Sequence, residues 1–179
     1  MRKYTGNRKS NRNFINVTLI ARNEEKLKAV LLELKNDNQN HNYIVADFSN
    51  PAEVQENVAD FINQNNGFHI LINNTGGPRS GAILDATLEQ FQQAFVQHLH
   101  CNHLLAQTVI PFMKTQCFGR IVNIISTSVK EPIPGLGVSN TIRAAVGNWS
   151  KTLAEEVANH GITVNNVLPG FTETERLSE

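Results

Sequence analysis

Three histidines stand close together in mid-chain, at positions 98, 100 and 103. Imidazoles hold metals or move protons near neutral pH. On a helix these three positions do not share one face, and no carboxylate spacing accompanies them, so the pattern argues against a metal site. Cys101 and Cys117 are too few and too widely spaced for a disulfide framework or a zinc knuckle, and are expected as free, buried or half-buried thiols. Residues 1–12 carry Arg2, Lys3, Arg8, Lys9 and Arg12 without one acid. A solvated, disordered end is the expectation for that segment, ahead of a phosphate-binding arm. The formal net charge is +0, which gives no global attraction to nucleic acid. No apolar stretch approaches a membrane span, and no signal-peptide run follows the basic start. No membrane partner and a cytoplasmic location are therefore expected.

Whatever these residues do, strands and helices must position them, and the patterning supplies both in alternation. The 179 residues fit one domain, predicted over 1–179. Val17 to Ala21 reads as a strand. Asn23 caps a helix whose apolar stripe is Leu27, Val30, Leu31 and Leu34. Tyr43 to Ala46 is a second strand. Asn50, Pro51 and Glu53 open a helix with Val54, Val58, Phe61 and Ile62 buried, closed by Gly67. Ile70 to Asn73 runs into the turn Asn74-Thr75-Gly76-Gly77-Pro78. Thr87 with Gln90 forms a capping box for a long helix to about Met113, with Leu88, Phe91, Phe95 and Leu99 inward. Arg120 to Ile125 is a strand, residues 127–138 a loop, and Ser139 to His160 a helix with Ile142, Val146, Trp149 and Leu153 apolar. Gly161 stops it, and Thr163 to Leu168 is the last strand. Five alternations of short apolar strand and helix predict a parallel sheet covered on both faces.

Five strings resemble, in order and spacing, those of the short-chain dehydrogenase/reductase family. Leu19-Ile20-Ala21-Arg22-Asn23-Glu24-Glu25-Lys26-Leu27 is similar to the end of the family's second strand. Ala46-Asp47 resembles the adenine-contacting aspartate, with Phe48 beside it. Asn73-Asn74-Thr75-Gly76 resembles the Asn-Asn-Ala-Gly turn. Gly119 to Ser126 resembles the strand that ends in the catalytic serine. Val164-Asn165-Asn166-Val167-Leu168-Pro169-Gly170 resembles the last strand and the turn beside the nicotinamide. The texture is closest to reductases of 3-oxoacyl thioesters on acyl carrier protein.

The resemblance implies an α/β, Rossmann-type doubly wound fold and an oxidoreductase acting on a small carbonyl or alcohol substrate. It implies NADP as cofactor, with NAD the alternative, because Arg22 would pair with the 2′-phosphate. Asp47 and Phe48 would meet the adenine, Asn74, Thr75 and Gly76 the ribose, and Pro169, Gly170 and Thr172 the nicotinamide. Ser126 would polarise the carbonyl. The helices at 88–113 and 139–160 would form a homo-oligomer interface.

The chain also departs from the family. Its glycine-rich pyrophosphate turn has no counterpart, since no glycine lies between Gly6 and Gly67. The first strand, glycine loop and helix are missing, as is the C-terminal strand, so the chain reads as truncated at both ends. That first strand belongs between the second and the fourth, and its loss leaves open strand edges. The family's catalytic tyrosine and lysine fall at Ser139 and Arg143. A serine hydroxyl is far too weak an acid to protonate an alkoxide at neutral pH, and a guanidinium does not deprotonate. Arg143 would still hold ribose hydroxyls, and His98, at the family's active-site asparagine, would relay protons. The alternatives to a reductase are a non-catalytic scaffold subunit and an inactive fragment.

Overall fold

The computed structural model describes residues 15–34 and 39–170; the basic segment 1–12 lies outside them. The chain forms two compact units, Met1–Val45 and Ala46–Glu179.

In the first unit, strand β1 (Thr18–Ala21) pairs in parallel with β2 (Asn42–Val45), Thr18 opposite Asn42 and Ala21 opposite Val45. Helix α1 (Glu24–Glu33) joins them. Asn23 opens it as expected, its side-chain oxygen accepting from Lys26 N at 2.9 Å, with Glu24 and Glu25 against the positive helix end. The buried stripe is narrower than the apolar spacing predicts. Leu27 is buried, Leu31 and Leu34 are half-buried, and Val30 is exposed.

The second unit carries α2 (Pro51–Gln64), β3 (Ile70–Asn73), α3 (Leu88–Phe95), α4 (Cys101–Thr115), β4 (Gly119–Ile124), α5 (Gly137–Val157) and β5 (Ile162–Val167). Its strands form one parallel sheet in the order β3-β4-β5. Ile70 stands opposite Arg120, and Gly119 opposite Ile162. Among the described residues the strands thus pair as two sheets.

Local signals explain the element ends. Asn50 caps α2 on Glu53 N, and Pro51 occupies the first turn, where its missing N–H costs nothing. Gly67 does not terminate α2, which ends at Gln64. Its role is close approach, because a Cβ there would collide with the Phe112 ring. The capping box of Thr87 and Gln90 is present in both directions, at 3.3 and 3.0 Å.

The long helix departs from the expected inward stripe. Leu88 is 75% exposed and Phe95 is 38% exposed, while Phe91 and Leu99 are half-buried. The buried face runs instead through Ala94, His98, Cys101, Leu105, Val109 and Met113. A π-turn at Val96–His100 joins α3 to α4, and the buried residues keep steps of three or four through it, so what differs is which flank of the apolar face the rest of the described chain covers.

Candidate active site

The site is assembled at the C-terminal ends of β3, β4 and β5, where a parallel α/β sheet offers its crevice. Beneath it lies a polar layer. Asn73, Asn123 and Asn166 stand opposite one another on β3, β4 and β5. Asn73 Nδ2 donates to Asn123 Oδ1 at 2.8 Å, and Asn123 Nδ2 donates to Ser150 Oγ of α5 at 2.9 Å and to Asn166 Oδ1 at 3.3 Å. The Ser150 hydroxyl lies 2.8 Å from Asn166 Oδ1 and 2.7 Å from Val146 O, and its one proton serves them alternately. Asn123 has no exposed surface, so the ladder holds three strand ends and α5 in one register.

Above it, Ser126 follows β4 and opens a short 3₁₀ turn, Thr127–Val129, with its Oγ accepting from Ser128 N at 3.1 Å. Thr127 N donates to Pro169 O at 3.4 Å, and Ile125 N to Val167 O at 2.9 Å, which brings the end of β5 beside the serine turn. Arg143 reaches out of α5 and donates from a guanidinium nitrogen to Ile124 O at 2.7 Å. Residues from β4, α5 and the turn after β5 therefore meet around Ser126. Ser139 is half-buried on α5, one helical turn before Arg143. Gly170 lies beyond Pro169, and Thr172 is outside the described residues.

His98 is 2% exposed and sits in the π-turn, its Nδ1 2.6 Å from the Thr75 hydroxyl. Thr75 belongs to the turn after β3, so the pair ties the long helix to the strand end. His100 packs edge-on against Phe95 and His103 edge-on near Trp149. The three histidines point to three different neighbourhoods. Asn74 and Gly76 are exposed in the same turn, and a Cβ on Gly76 would meet no protein atom within 4 Å. Packing within the chain therefore does not require that glycine.

Asp47 starts a turn, its Oδ1 accepting from Ser49 N at 2.8 Å. Phe48 O accepts from the Cys101 thiol at 3.3 Å. Burial, reinforced by the charge of Asp47, pushes that thiol up to about 11. Arg22 is exposed at the tip of β1, in the other unit.

Three features were not anticipated from the sequence: the asparagine ladder, the Thr75–His98 pair and the π-turn. The ladder had a signal, since Asn73, Asn123 and Asn166 each sit near the end of an apolar strand, where a buried amide must find a partner. The π-turn had none.

A family model described as short chain dehydrogenase matches residues 9–179. The chain belongs to that family. It is 34% identical over 159 residues to a 3-oxoacyl-[acyl-carrier-protein] reductase of Rickettsia bellii, covering 89% of this chain and 63% of that protein. It is 32% identical over 158 residues to a putative ketoacyl reductase of the granaticin polyketide synthase of Streptomyces violaceoruber, covering 87% and 58%. Among solved structures, L-sorbose reductase from Gluconobacter frateurii, complexed with NADPH and L-sorbose, superposes with a TM-score of 0.84 at 27% identity, over 90% of this chain and 62% of that one. The chain thus spans about three fifths of these relatives' lengths, with a Rossmann-type α/β fold in common with them.

Proposed function

We propose that this chain carries the carbonyl-reducing half of an NADP-dependent short-chain reductase, with an atypical Ser126, Ser139 and Arg143 set and a 3-oxoacyl-like substrate. The observation that carries the reading is the convergence on Ser126: Arg143 on Ile124 O, and Pro169 O under Thr127 N. Such a gathering sets a cation and a hydroxyl at one strand end, as polarising a carbonyl requires.

The residues fit the nicotinamide–ribose half of a dinucleotide. Arg143 supplies positive charge and donors, and Gly76 leaves its side of the turn open where no contact among the described residues requires a glycine. They do not supply the pyrophosphate half, for which no glycine turn exists before Gly67. When bound, the cofactor supplies a hydride. The Ser126 hydroxyl would hold the substrate carbonyl oxygen. Arg143 would orient ribose hydroxyls from a fixed position, its reach already set by Ile124 O. Ser139 occupies the acid position but cannot yield a proton at neutral pH, so the proton would come through Thr75 and His98 or through water. Asp47 and Phe48 would meet the adenine, and Arg22 would favour NADP.

A second reading, a non-catalytic subunit, is favoured by Ser139 and by the outward apolar side chains ahead of and on α3. Leu84 is 96% exposed and Leu88 is 75% exposed. These would support a homo-oligomer through helices 88–113 and 139–160 under either reading. A fluorescence titration with NADPH, and NADH alongside, separates the two. Saturable binding that favours NADPH, followed by carbonyl turnover that Ser126→Ala removes, supports the reductase. A folded chain that binds neither nucleotide leaves the subunit reading.

A further inference from the structure

The connection from α2 to β3 carries the run Asn65-Asn66-Gly67. Asn66-Gly67 is the one place in the sequence where glycine follows asparagine, and every other asparagine precedes a residue with a side chain. The backbone nitrogen after an asparagine stands where it can close a small ring on the side-chain Cγ. A Cβ on that next residue crowds the approach, and glycine has none.

The structure leaves both reacting groups available. Asn66 is exposed, and it lies outside α2 and β3. Among the described residues, neither its side-chain amide nor the Gly67 N–H makes a hydrogen bond. The nitrogen that must lose its proton is therefore not tied to an acceptor, and no partner turns the amide away from it.

The chain on either side of Asn66 is fixed. Asn65 N and Asn65 Nδ2 both donate to Phe61 O, at 2.9 and 3.0 Å, and so hold the end of α2. Gly67 is pressed against the Phe112 ring, where a Cβ would collide. Phe68 stacks on Phe61 with ring centroids 5.5 Å apart, and His69 meets Phe112 edge-on at 5.0 Å. Asn66 is thus one unheld link between two anchored points.

We propose that Asn66-Gly67 is a self-modification site, at which the chain converts its own asparagine to isoaspartate and aspartate. The Gly67 nitrogen gives up its proton and bonds to Asn66 Cγ. The bond from Cγ to Nδ2 breaks, and Nδ2 leaves as ammonia with that proton. Water then opens the cyclic imide. Attack at Cγ restores the main chain and yields aspartate, whereas attack at the backbone carbonyl carbon of residue 66 yields isoaspartate. Nothing is oxidised or reduced, and water is the only co-reactant. Either product adds a negative charge to the loop. Isoaspartate also inserts a methylene into the main chain, and neither anchor has slack for it. The extra atom displaces Gly67 from Phe112 or pulls on the end of α2, so isoaspartate loosens this connection and aspartate does not. The site lies before β3, at the strand end opposite Thr75, and does not depend on the reductase reading.

The test is incubation of the whole folded chain in mildly alkaline buffer, with digestion and mass spectrometry at intervals. Isoaspartate is counted by methylation with an isoaspartyl methyltransferase and labelled S-adenosylmethionine. We expect a gain of about 1 Da on the peptide that holds Asn66. It should appear at least about tenfold faster than at any other asparagine, since a modest steric barrier multiplies a rate. The gain should quicken as pH rises, because the nucleophile is the deprotonated nitrogen. Asn66→Gln, at an exposed position, lengthens the ring to be closed and should abolish the gain. The isoaspartate fraction, separated by ion exchange, should unfold at lower urea than Asn66→Asp, which carries the same charge on an unaltered main chain. A folded chain in which Asn66 reacts no faster than other asparagines, or a gain undiminished in Asn66→Gln, overturns the proposal. Isoaspartate chain as stable as Asn66→Asp overturns it too, because the anchors would then be slack. Gly67→Ala is no control, since its Cβ would collide with Phe112.

Discussion

The two faces of the three-stranded sheet are built differently. On one, Leu71, Asn73, Ile121, Asn123 and Ile162 alternate inward under α4 and α5, and all are buried. On the other, Ile70 is 47% exposed, Ile72 is 62% exposed and Val167 is 46% exposed. Both faces carry apolar side chains with polar ones among them (Asn73 and Asn123 on the first, Arg120 on the second), so composition alone does not distinguish them. What differs is the neighbour that each face finds within the described residues. Strand sequences record that both faces of a parallel sheet are meant to be dry, whereas the packing records only which one is.

The sharpest way to break this comparison is one substitution on each face. Asn123→Leu removes the acceptor of Asn73 Nδ2 and the donor to Ser150 and Asn166, stranding buried polar groups on two strands and α5. A loss of about 3 kcal/mol in urea unfolding is expected. Ile72→Thr, half a turn of pleat away on the open face, is expected to change stability by no more than about 0.5 kcal/mol. Similar losses from the two would mean that something covers Ile72 in solution.

The same contrast shows what could be read from the sequence. The order of elements, the caps at Asn23, Asn50 and Thr87, and the strand ends bearing Ser126 and Pro169 were legible, because each rests on neighbours within a few residues. The inward stripe of the long helix was not. Leu88, Phe91, Phe95 and Leu99 have the right spacing for a buried face, but the described chain covers the neighbouring flank, through Ala94 and His98, instead. Val30 failed for a related reason: a stripe gives the orientation of a face, and the breadth of the surface covering it is set by other segments. For the candidate site, the resemblance pointed to Ser126, Arg143 and His98. That the Thr75 hydroxyl holds His98, and that Ile124 O anchors Arg143, depends on long-range contacts that no local pattern encodes.

A second prediction probes the base of the covered face, at the opposite ends of the same strands. Gly161 has φ of 70° at the entry to β5, and a Cβ there would collide with Cys117 O. Cys117 itself adopts φ of 48°, a left-handed conformation for a residue with a side chain. Gly161→Ala is therefore expected to cost about 2 kcal/mol, through strain and the displaced α4–β4 connection. Cys117→Gly should gain up to about 1 kcal/mol by relieving the same kind of strain. Thermal unfolding of the two variants measures both, and a neutral Gly161→Ala would show that the connection yields freely.

The two thiols give the gentlest test, because it leaves the protein unchanged. Cys101 has no exposed surface and donates to Phe48 O, whereas Cys117 is exposed. Burial, with Asp47 second, raises the Cys101 thiol from its ordinary value of 9.0 to about 11 in the folded protein. The neutral thiol is the form that the fold favours, so this group's contribution to stability is fully present below about 9 and is lost as pH rises towards about 11. At pH near 8, iodoacetamide should therefore label Cys117, whose sulfur is exposed, and spare Cys101, since the thiolate is the nucleophile and burial both shields the Cys101 sulfur and disfavours its thiolate. Mass spectrometry of the alkylated chain distinguishes one adduct from two, and urea should convert the first pattern to the second as the covered face opens. Equal labelling of both cysteines in the folded chain would mean that α4 and the Asp47–Phe48 turn part readily. The covered face would then be no more protected than the open one.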